Sequence, residues 1–186
     1  MNVYDFDNTL YKGESTYDFF FFCLKKKPTL IKYVPIVLYY LYKYKKVKIN
    51  HQQLIDNFNQ IFNKVLKNEK ELNELTIKFW DKNIHKLKEN IIKNLKKEDI
   101  IITGSPNFLI NVIKNKLKVE IISTKVNLKT KKIEFLCLGK NKVKIFKELY
   151  PNKKINNFYT DSMNDSPLME LASNVYLVKK DKIIKI

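Results

Sequence analysis

Apolar and polar positions change texture along the chain. Residues 2–6 alternate weakly and run into an acidic pair, which suits a short buried strand opening into a loop at Asp7–Gly13. Ser15 offers a helix N-cap, and Thr16–Lys26 is strongly apolar until Lys25-Lys26-Lys27-Pro28 breaks it. Thr29 to about Val47 predicts a second helix, with Pro35 either kinking it or sitting in its first turns. Asn50 caps a third helix, in which Leu54, Phe58, Ile61, Phe62 and Leu66 fall at helical spacing. Glu69 to Leu95 predicts more helix, broken near Asp81–Ile84. Residues 15–95 therefore read as almost wholly helical.

The texture shifts at Asp99. Ile100-Ile101-Ile102 is a short β-rich run ending at Thr103, followed by Gly104-Ser105-Pro106 and a helix from about Asn107 to Leu117. Val119–Ser123 predicts another strand, and Val126–Leu128 with Ile133–Leu136 a pair around a Lys129–Lys131 turn. A helix at about Lys142–Leu149, a strand at Asn157–Thr160, a helix at Pro167–Ala172, and strands at Val175–Val178 and Lys182–Ile186 complete the series. Strands alternating with helices imply an α/β fold, a Rossmann-like parallel sheet with its working loops at the strand C-termini. The organisation expected is an α/β core of residues 1–13 plus 97–186, with a helical insertion at 14–96.

Composition narrows the function classes. The chain has 186 residues, enough for one core with a modest insertion, and a formal charge of +17 from 36 Lys+Arg against 19 Asp+Glu. Every one of those cations is lysine. Base-reading proteins lean on the planar fork of arginine, so solvated lysines on helix faces are expected rather than a nucleic-acid surface. Cys23 and Cys137 lie far apart in apolar stretches and are expected as buried free thiols. His51 and His85 have no partner at zinc-ligand spacing. No basic leader precedes the first strand, and the most apolar run, Tyr33–Tyr42, is too short to span a bilayer. A cytoplasmic location is expected.

Four places carry chemistry. Asp5 and Asp7 follow the first strand, where one carboxylate can attack phosphorus while the other protonates a leaving oxygen and activates water. Thr103 ends Ile100–Ile102 ahead of a helix, where a hydroxyl and free N–H groups can hold phosphoryl oxygens. Asp161 closes Asn157–Thr160, with Asp165 four residues on, and hard carboxylate oxygens there suit Mg²⁺. Lys142 opens the helix before that strand and can neutralise charge on a transferring phosphoryl group. Taken singly these are an acidic turn, a helix cap, a capped turn and one lysine of many. Their order makes them a set.

That order resembles the four signature motifs of the haloacid dehalogenase superfamily. Asp5–Thr9 stands for DxDxT, Thr103 for the hydroxyl, Lys142 for the lysine, and Asp161-Ser162-Met163-Asn164-Asp165 for DSxxD. Thr160–Met169 is similar to the GDSxxDxPLL form of the phosphoserine phosphatase-like branch, and Thr103-Gly104-Ser105-Pro106 to an SASP loop of related members. Glu14, nine positions after Asp5, resembles an acidic residue placed near a substrate amino group. The resemblance implies a helical cap between the first two motifs, where residues 14–96 lie.

It also implies a Mg²⁺-dependent phosphatase forming an aspartyl-phosphate on Asp5, with a small phosphorylated metabolite as partner. Asp5, the Asp7 carbonyl and Asp161 would hold the metal, with Asp165 behind it holding bound water or Lys142. Thr103, Gly104, Ser105 and Lys142 would brace the phosphoryl group. Asp7 argues against dehalogenation, which lacks the second aspartate. The motif II loop departs from the Ser-Gly-Gly type of phosphoserine phosphatases, and no arginine exists to meet a substrate carboxylate. An amine-bearing substrate remains the expectation from Glu14. The rivals are a phosphotransferase and a non-catalytic lysine-rich binder of polyanions or membrane surfaces. The aromatic residues of the first two helices, Phe19–Phe22 and Tyr39, Tyr40 and Tyr42 among them, read as core and seam, or more sharply as an apolar substrate pocket or a lipid-facing surface.

Overall fold

A computed structural model of the chain describes residues 1–65 and 68–186. Leu66, named above in the third helix, lies outside the described residues, as does the side chain of Phe62.

Strand β1 (Asn2–Tyr4) is the middle of the sheet. Between it and β2 (Ile100–Pro106) come α1 (Ser15–Lys26), a 3-10 turn (Pro28–Tyr33), α2 (Val34–Lys45), α3 (His51–Val65), α4 (Glu69–Asn83) and α5 (Glu89–Ile92). Pro35 occupies the first turn of α2, where its missing N–H costs nothing, which is the second of the two placements expected for it. Asn50 and Gln53 cap α3 reciprocally, each side chain accepting the other's N–H at 2.9 Å. The break expected near Asp81–Ile84 is a 3-10 turn at Ile84–Lys86.

After β2 the expected single helix is divided into α6 (Asn107–Ile110), a 3-10 turn and α7 (Lys114–Leu117). Strand β3 (Glu120–Asn127) absorbs two runs that the sequence separates, and turns into β4 (Lys132–Phe135). Then follow α8 (Lys140–Leu149), β5 (Ile155–Thr160), α9 (Ser166–Met169), β6 (Ala172–Lys179) and β7 (Lys182–Lys185).

The sheet order is β4-β3-β2-β1-β5-β6-β7. The five inner strands are parallel, and the edges β4 and β7 are antiparallel hairpin partners. Ile100, Ile101 and Ile102 are buried in succession because a parallel strand is covered on both faces. Chain direction through the sheet reverses at β1, since β2 lies on one side of it and β5 on the other. Ligands of such sheets gather at that switch point, beyond the strand C-termini.

One face of the sheet shares a hydrophobic cluster with the inserted helices. Tyr4, Phe6 and Ile101 join Phe19, Phe79 and Trp80 there, and the Trp80 indole donates to the Leu109 carbonyl at 2.7 Å. Thus α1 and α4 are built into the sheet's own core. The outer helix α3 instead packs on β4, where Asn59 accepts the Ile133 N–H at 2.6 Å and covers part of the sheet edge. The aromatic stretch divides accordingly. Phe19 and Phe22 pack on Phe79, while Tyr17, Phe21, Tyr39 and Tyr42 remain exposed. Cys23 and Cys137 are buried and free, as expected. Among the described residues no helix is long and apolar enough to cross a membrane.

Candidate active site

The ends of β1, β2 and β5, with the first turn of α8, converge on one cleft of about 570 Å³. Asp5 continues the β1 ladder by one residue, donating its N–H to the Tyr159 carbonyl at 2.8 Å. The residue is 7% exposed, and its Oδ1 accepts from Lys142 Nζ at 2.8 Å. Lys142 Nζ also meets both Asp165 oxygens, at 2.8 and 2.9 Å. Thr160 Oγ1 donates to Asp165 Oδ2 at 3.0 Å. A cation at 4% exposure therefore holds two carboxylates from distant elements. Lys142 belongs to the third position of α8 rather than its opening residue, and Gly139 turns the chain into that helix at φ 52°.

Burial pushes the Asp5 carboxyl up to about 7, with Asp165 and Asp7 adding to it and Lys142 opposing it. The same carboxylates raise the Lys142 ammonium above its ordinary value despite its burial, so it stays charged.

Asp7 is held differently, by neutral donors. Oδ1 accepts the Ser15 N–H at 2.7 Å, and Oδ2 accepts the Ser105 hydroxyl at 2.7 Å. Ser105 Oγ in turn lies 2.8 Å from Ser15 Oγ and 2.9 Å from Thr16 Oγ1. Burial raises the Asp7 carboxyl and these donors pull it back. Ser15 is thus the first helical residue, aimed at Asp7, and the capping position falls to Glu14.

Thr103 is placed differently from the expectation. Its side chain is fully buried, its Oγ1 accepts the Ser105 N–H at 3.0 Å, and the cleft wall is formed by Gly104, Ser105 and Pro106. A bulge in the β2–β3 pairing between Ile102 and Pro106 re-aims this segment. A Cβ at Gly104 would come within 2.5 Å of Leu138 Cδ2, so the backbone approaches its neighbour closely here.

Asp161 and Glu14 line the same cleft. Burial and Asp165 raise the Asp161 carboxyl. Glu14 Oε1 accepts from the Asn8 amide at 2.8 Å, and partial burial beside Asp7 and Asp161 pushes its carboxyl up to about 7. Asn8 takes the left-handed conformation at φ 55°, which an Asn tolerates better than most residues. Its carbonyl accepts from Lys88 Nζ at 2.5 Å, and Lys88 reaches the Lys180 carbonyl at 2.6 Å. Lys88 is 3% exposed, and burial lowers its pKa. It ties the Asp5–Asn8 loop to the β6–β7 turn. Nothing in the sequence distinguishes it from the other lysines. Thr16 and Thr160 were likewise hidden, whereas the spacing of Ser15 from the first motif was visible but read as a cap.

No curated protein sequence matches the chain. Among solved structures, a protein of unknown function from Bordetella pertussis Tohama I is 16% identical with a TM-score of 0.72, covering 94% of this chain and 87% of that one. A phosphoserine phosphohydrolase-like protein from Francisella tularensis is 20% identical with a TM-score of 0.59, covering 94% and 86%. A substrate-bound phosphoserine phosphatase is 18% identical with a TM-score of 0.53, covering 93% and 82%. At these identities the likeness is one of fold, and that fold is the one phosphoserine phosphatases share. The sequence pattern goes further: matching over residues 3–170, the chain belongs to the haloacid dehalogenase-like hydrolase family.

Proposed function

We propose that the chain is a Mg²⁺-dependent phosphatase acting on a phosphomonoester through Asp5. The observation that carries this reading is the division of labour between Asp5 and Asp7. Burial raises both carboxyls, but Asp5 is ion-paired to Lys142 and lines the cleft, whereas Asp7 is oriented by the neutral donors Ser15 and Ser105. Environments that separate two carboxylates in this way assign one as nucleophile and one as acid.

The donor set fits a hard divalent cation. Asp165 and Asp7 raise the Asp5 carboxyl, Asp165 raises that of Asp161, and Asp7 and Asp161 raise that of Glu14, with Lys142 the buried cation among them. Such crowded carboxylates call for further positive charge. Among the described residues there is no group of three or more His, Cys, Asp or Glu side chains arranged to hold a metal. Mg²⁺ does not need one, since it takes one or two carboxylates and completes its shell with water and substrate phosphate. Asp5, Asp161 and the Asp7 carbonyl are the groups that would hold it. Asp165, engaged by Lys142 and Thr160, serves as the brace behind them. When bound, the ion supplies charge that offsets these carboxylates and the incoming phosphate.

The reaction follows from the chain's own groups. An Asp5 oxygen attacks phosphorus, the bond to the leaving oxygen breaks, and the Asp7 proton goes to that oxygen. Asp7, now ionised, takes a proton from water as the water oxygen attacks the aspartyl-phosphate. The Asp5–phosphorus bond breaks and inorganic phosphate leaves. Lys142 and the Gly104–Ser105 segment face the phosphoryl oxygens, and the helical segment 14–96 serves as a cap over them. Glu14 offers a carboxylate to an amine on the leaving group. Transfer to an alcohol in place of water would be the same second step with another acceptor, and added alcohols would then change the product ratio.

Hydrolysis of an aryl phosphate is expected to require Mg²⁺, to stop in EDTA, and to return on titration of the metal. Mg²⁺ at about a hundredfold over its dissociation constant should also raise stability by about 2.7 kcal/mol, read as a higher Tm. Equal turnover in EDTA and Mg²⁺ would sink the metal assignment.

Ser105→Ala tests the second carboxylate. Without the hydroxyl, Asp7 loses a donor that stabilises its ionised form, so its pKa rises. The basic limb of the kcat profile should move to higher pH, and kcat should fall about tenfold to a hundredfold, part of what a general acid contributes. Ser105→Thr keeps a hydroxyl and should recover most of the loss. An unmoved pH profile in Ser105→Ala would remove Ser105 from this role.

A further inference from the structure

The cleft that begins at Asp5 does not end among polar groups. Beyond the carboxylates its wall is made by Phe20 of α1, Leu30 of the 3-10 turn, Val37 and Leu41 of α2, Phe58 of α3 and Leu75 of α4. Val126 and Ile133 of the β3–β4 hairpin close the opposite side. These side chains come from every long inserted helix and from the sheet edge, so the lining is a property of how the two are brought together. A space of about 570 Å³ with a few convergent polar groups at one end is the form of a site for a largely apolar ligand.

The cations of the lining exclude the alternative of a small zwitterion filling it. They are Lys142, held by Asp5 and Asp165, and Lys27, paired with Glu71 at 2.5 Å. Lys142 serves the phosphate end, and Lys27 is already paired with Glu71, which leaves no unpaired cation among these for a substrate carboxylate. Glu14 and the aspartates gather at one end, and away from them the lining is mainly hydrocarbon, with Asn68 and the Lys27–Glu71 pair as its polar members. Helix α2 extends this character outward. Val37 and Leu41 face the cleft while Leu38, Tyr39 and Tyr42 on the same helix are more than half exposed, at 59%, 55% and 55%.

We propose that the substrate is an amphipathic phosphomonoester, with its phosphate at Asp5 and Lys142 and an apolar portion lying between α2, α3, α4 and the β3–β4 hairpin. This rests on the phosphatase reading for the phosphate end and on the cleft alone for the apolar end. Free alkyl or aryl phosphates and bilayer-borne lipid phosphates share this chemistry.

The test is a chain-length series. With Mg²⁺ present, phosphate release is measured from ethyl, butyl, hexyl, octyl and decyl phosphates below their aggregation limits, beside phosphoserine and phosphoethanolamine. Each added methylene is expected to raise kcat/KM about twofold to fourfold until the cleft is filled. Phosphoserine should fall with ethyl phosphate at the bottom, and phosphoethanolamine, whose amine can meet Glu14, should stand above ethyl phosphate but below the long alkyl phosphates. Calorimetry with decyl- and ethylphosphonate, which are not hydrolysed, should show the same preference in affinity. Val37→Asp sets a carboxylate in the wall and should collapse the decyl-to-ethyl ratio.

Vesicles of phosphatidylcholine with phosphatidic acid separate the sources. Release of phosphate from them points to a bilayer-borne substrate, and release from monomeric alkyl phosphates alone points to a free one. A decyl-to-ethyl ratio near unity in both turnover and phosphonate affinity would overturn the inference while leaving the phosphatase intact. Phosphonate selectivity without any hydrolysis would instead overturn the phosphatase reading and keep the apolar site. A folded Val37→Asp protein with an undiminished ratio would show that the tail lies elsewhere and would also overturn the proposal.

Discussion

Asp5→Asn is expected to lower Mg²⁺-dependent hydrolysis of an aryl phosphate by roughly 10⁴-fold or more, the scale on which loss of a covalent nucleophile registers. Asparagine has nearly the same shape and keeps an oxygen for the Lys142 ammonium, which lies 2.8 Å from Oδ1. It cannot form the acyl phosphate. The backbone of residue 5 remains anchored to Tyr159 by its own N–H. Fold should therefore persist, with far-UV circular dichroism unchanged and a single cooperative melt. The metal-free variant should even gain stability with rising pH relative to the parent. In the parent, Asp5 ionises at about 7 when folded against an ordinary 3.8, so the unfolded chain gives up that proton more readily. The stability this group contributes is present below about pH 4 and is lost as pH rises to about 7. An amide has no such titration. Turnover within tenfold of the parent in a folded Asp5→Asn protein would refute the nucleophile assignment.

Lys142→Met carries the second large effect, and here stability and activity fall together. Methionine matches the length of the lysine stem but leaves Asp5 and Asp165 buried without their cation. Removing one partner of a buried ion pair costs about 3–5 kcal/mol, because the remaining charges are uncompensated. The Lys142 charge lowers the Asp5 pKa, so its loss drives that pKa higher still. The acidic limb of the kcat/KM profile should shift to higher pH. In EDTA, the Tm difference from the parent should widen as pH rises and more of each carboxylate must ionise. Loss of a donor to the transferring phosphoryl group should add about 10²–10³-fold to the fall in kcat. A variant with normal Tm at pH 8 would mean that the pair is not the brace its geometry describes. Lys142→Arg discriminates further: it keeps the charge but brings a planar fork into a space shaped for a compact ammonium, so stability should recover more than activity.

Much of this protein was legible from one dimension. Period and punctuation located the helical stretch of 15–95, the capping residue Asn50, and a parallel sheet with its polar groups at strand ends. These features are local: an N-cap is settled within four residues, and a buried parallel strand needs only an unbroken apolar run. The Asp5, Asp7, Lys142, Asp161 and Asp165 set was likewise visible, because each lies just beyond a strand or in the helix leading to one. The topology of a parallel sheet brings such positions to one edge whatever the intervening chain does.

Other features existed only once distant segments met. Lys142 stands 137 positions from Asp5, and Ser105 stands 98 from Asp7, so no window of sequence could pair them. Thr103 and Ser105 were both expected at the phosphoryl group, and that Ser105 lines the cleft while Thr103 is buried goes with a bulge in β2, which re-aims side chains in a way composition does not record. Lys88 was one lysine among many until the fold buried it against the carbonyls of Asn8 and Lys180. The aromatic helices divided between core and cleft wall only when α1 and α4 packed on the sheet's face and α3 on its β4 edge. Sequence thus determined which polar groups gather, and at which end of the strands. Tertiary structure decided their partners and the apolar space beside them, because burial and pairing depend on surfaces that no single segment owns.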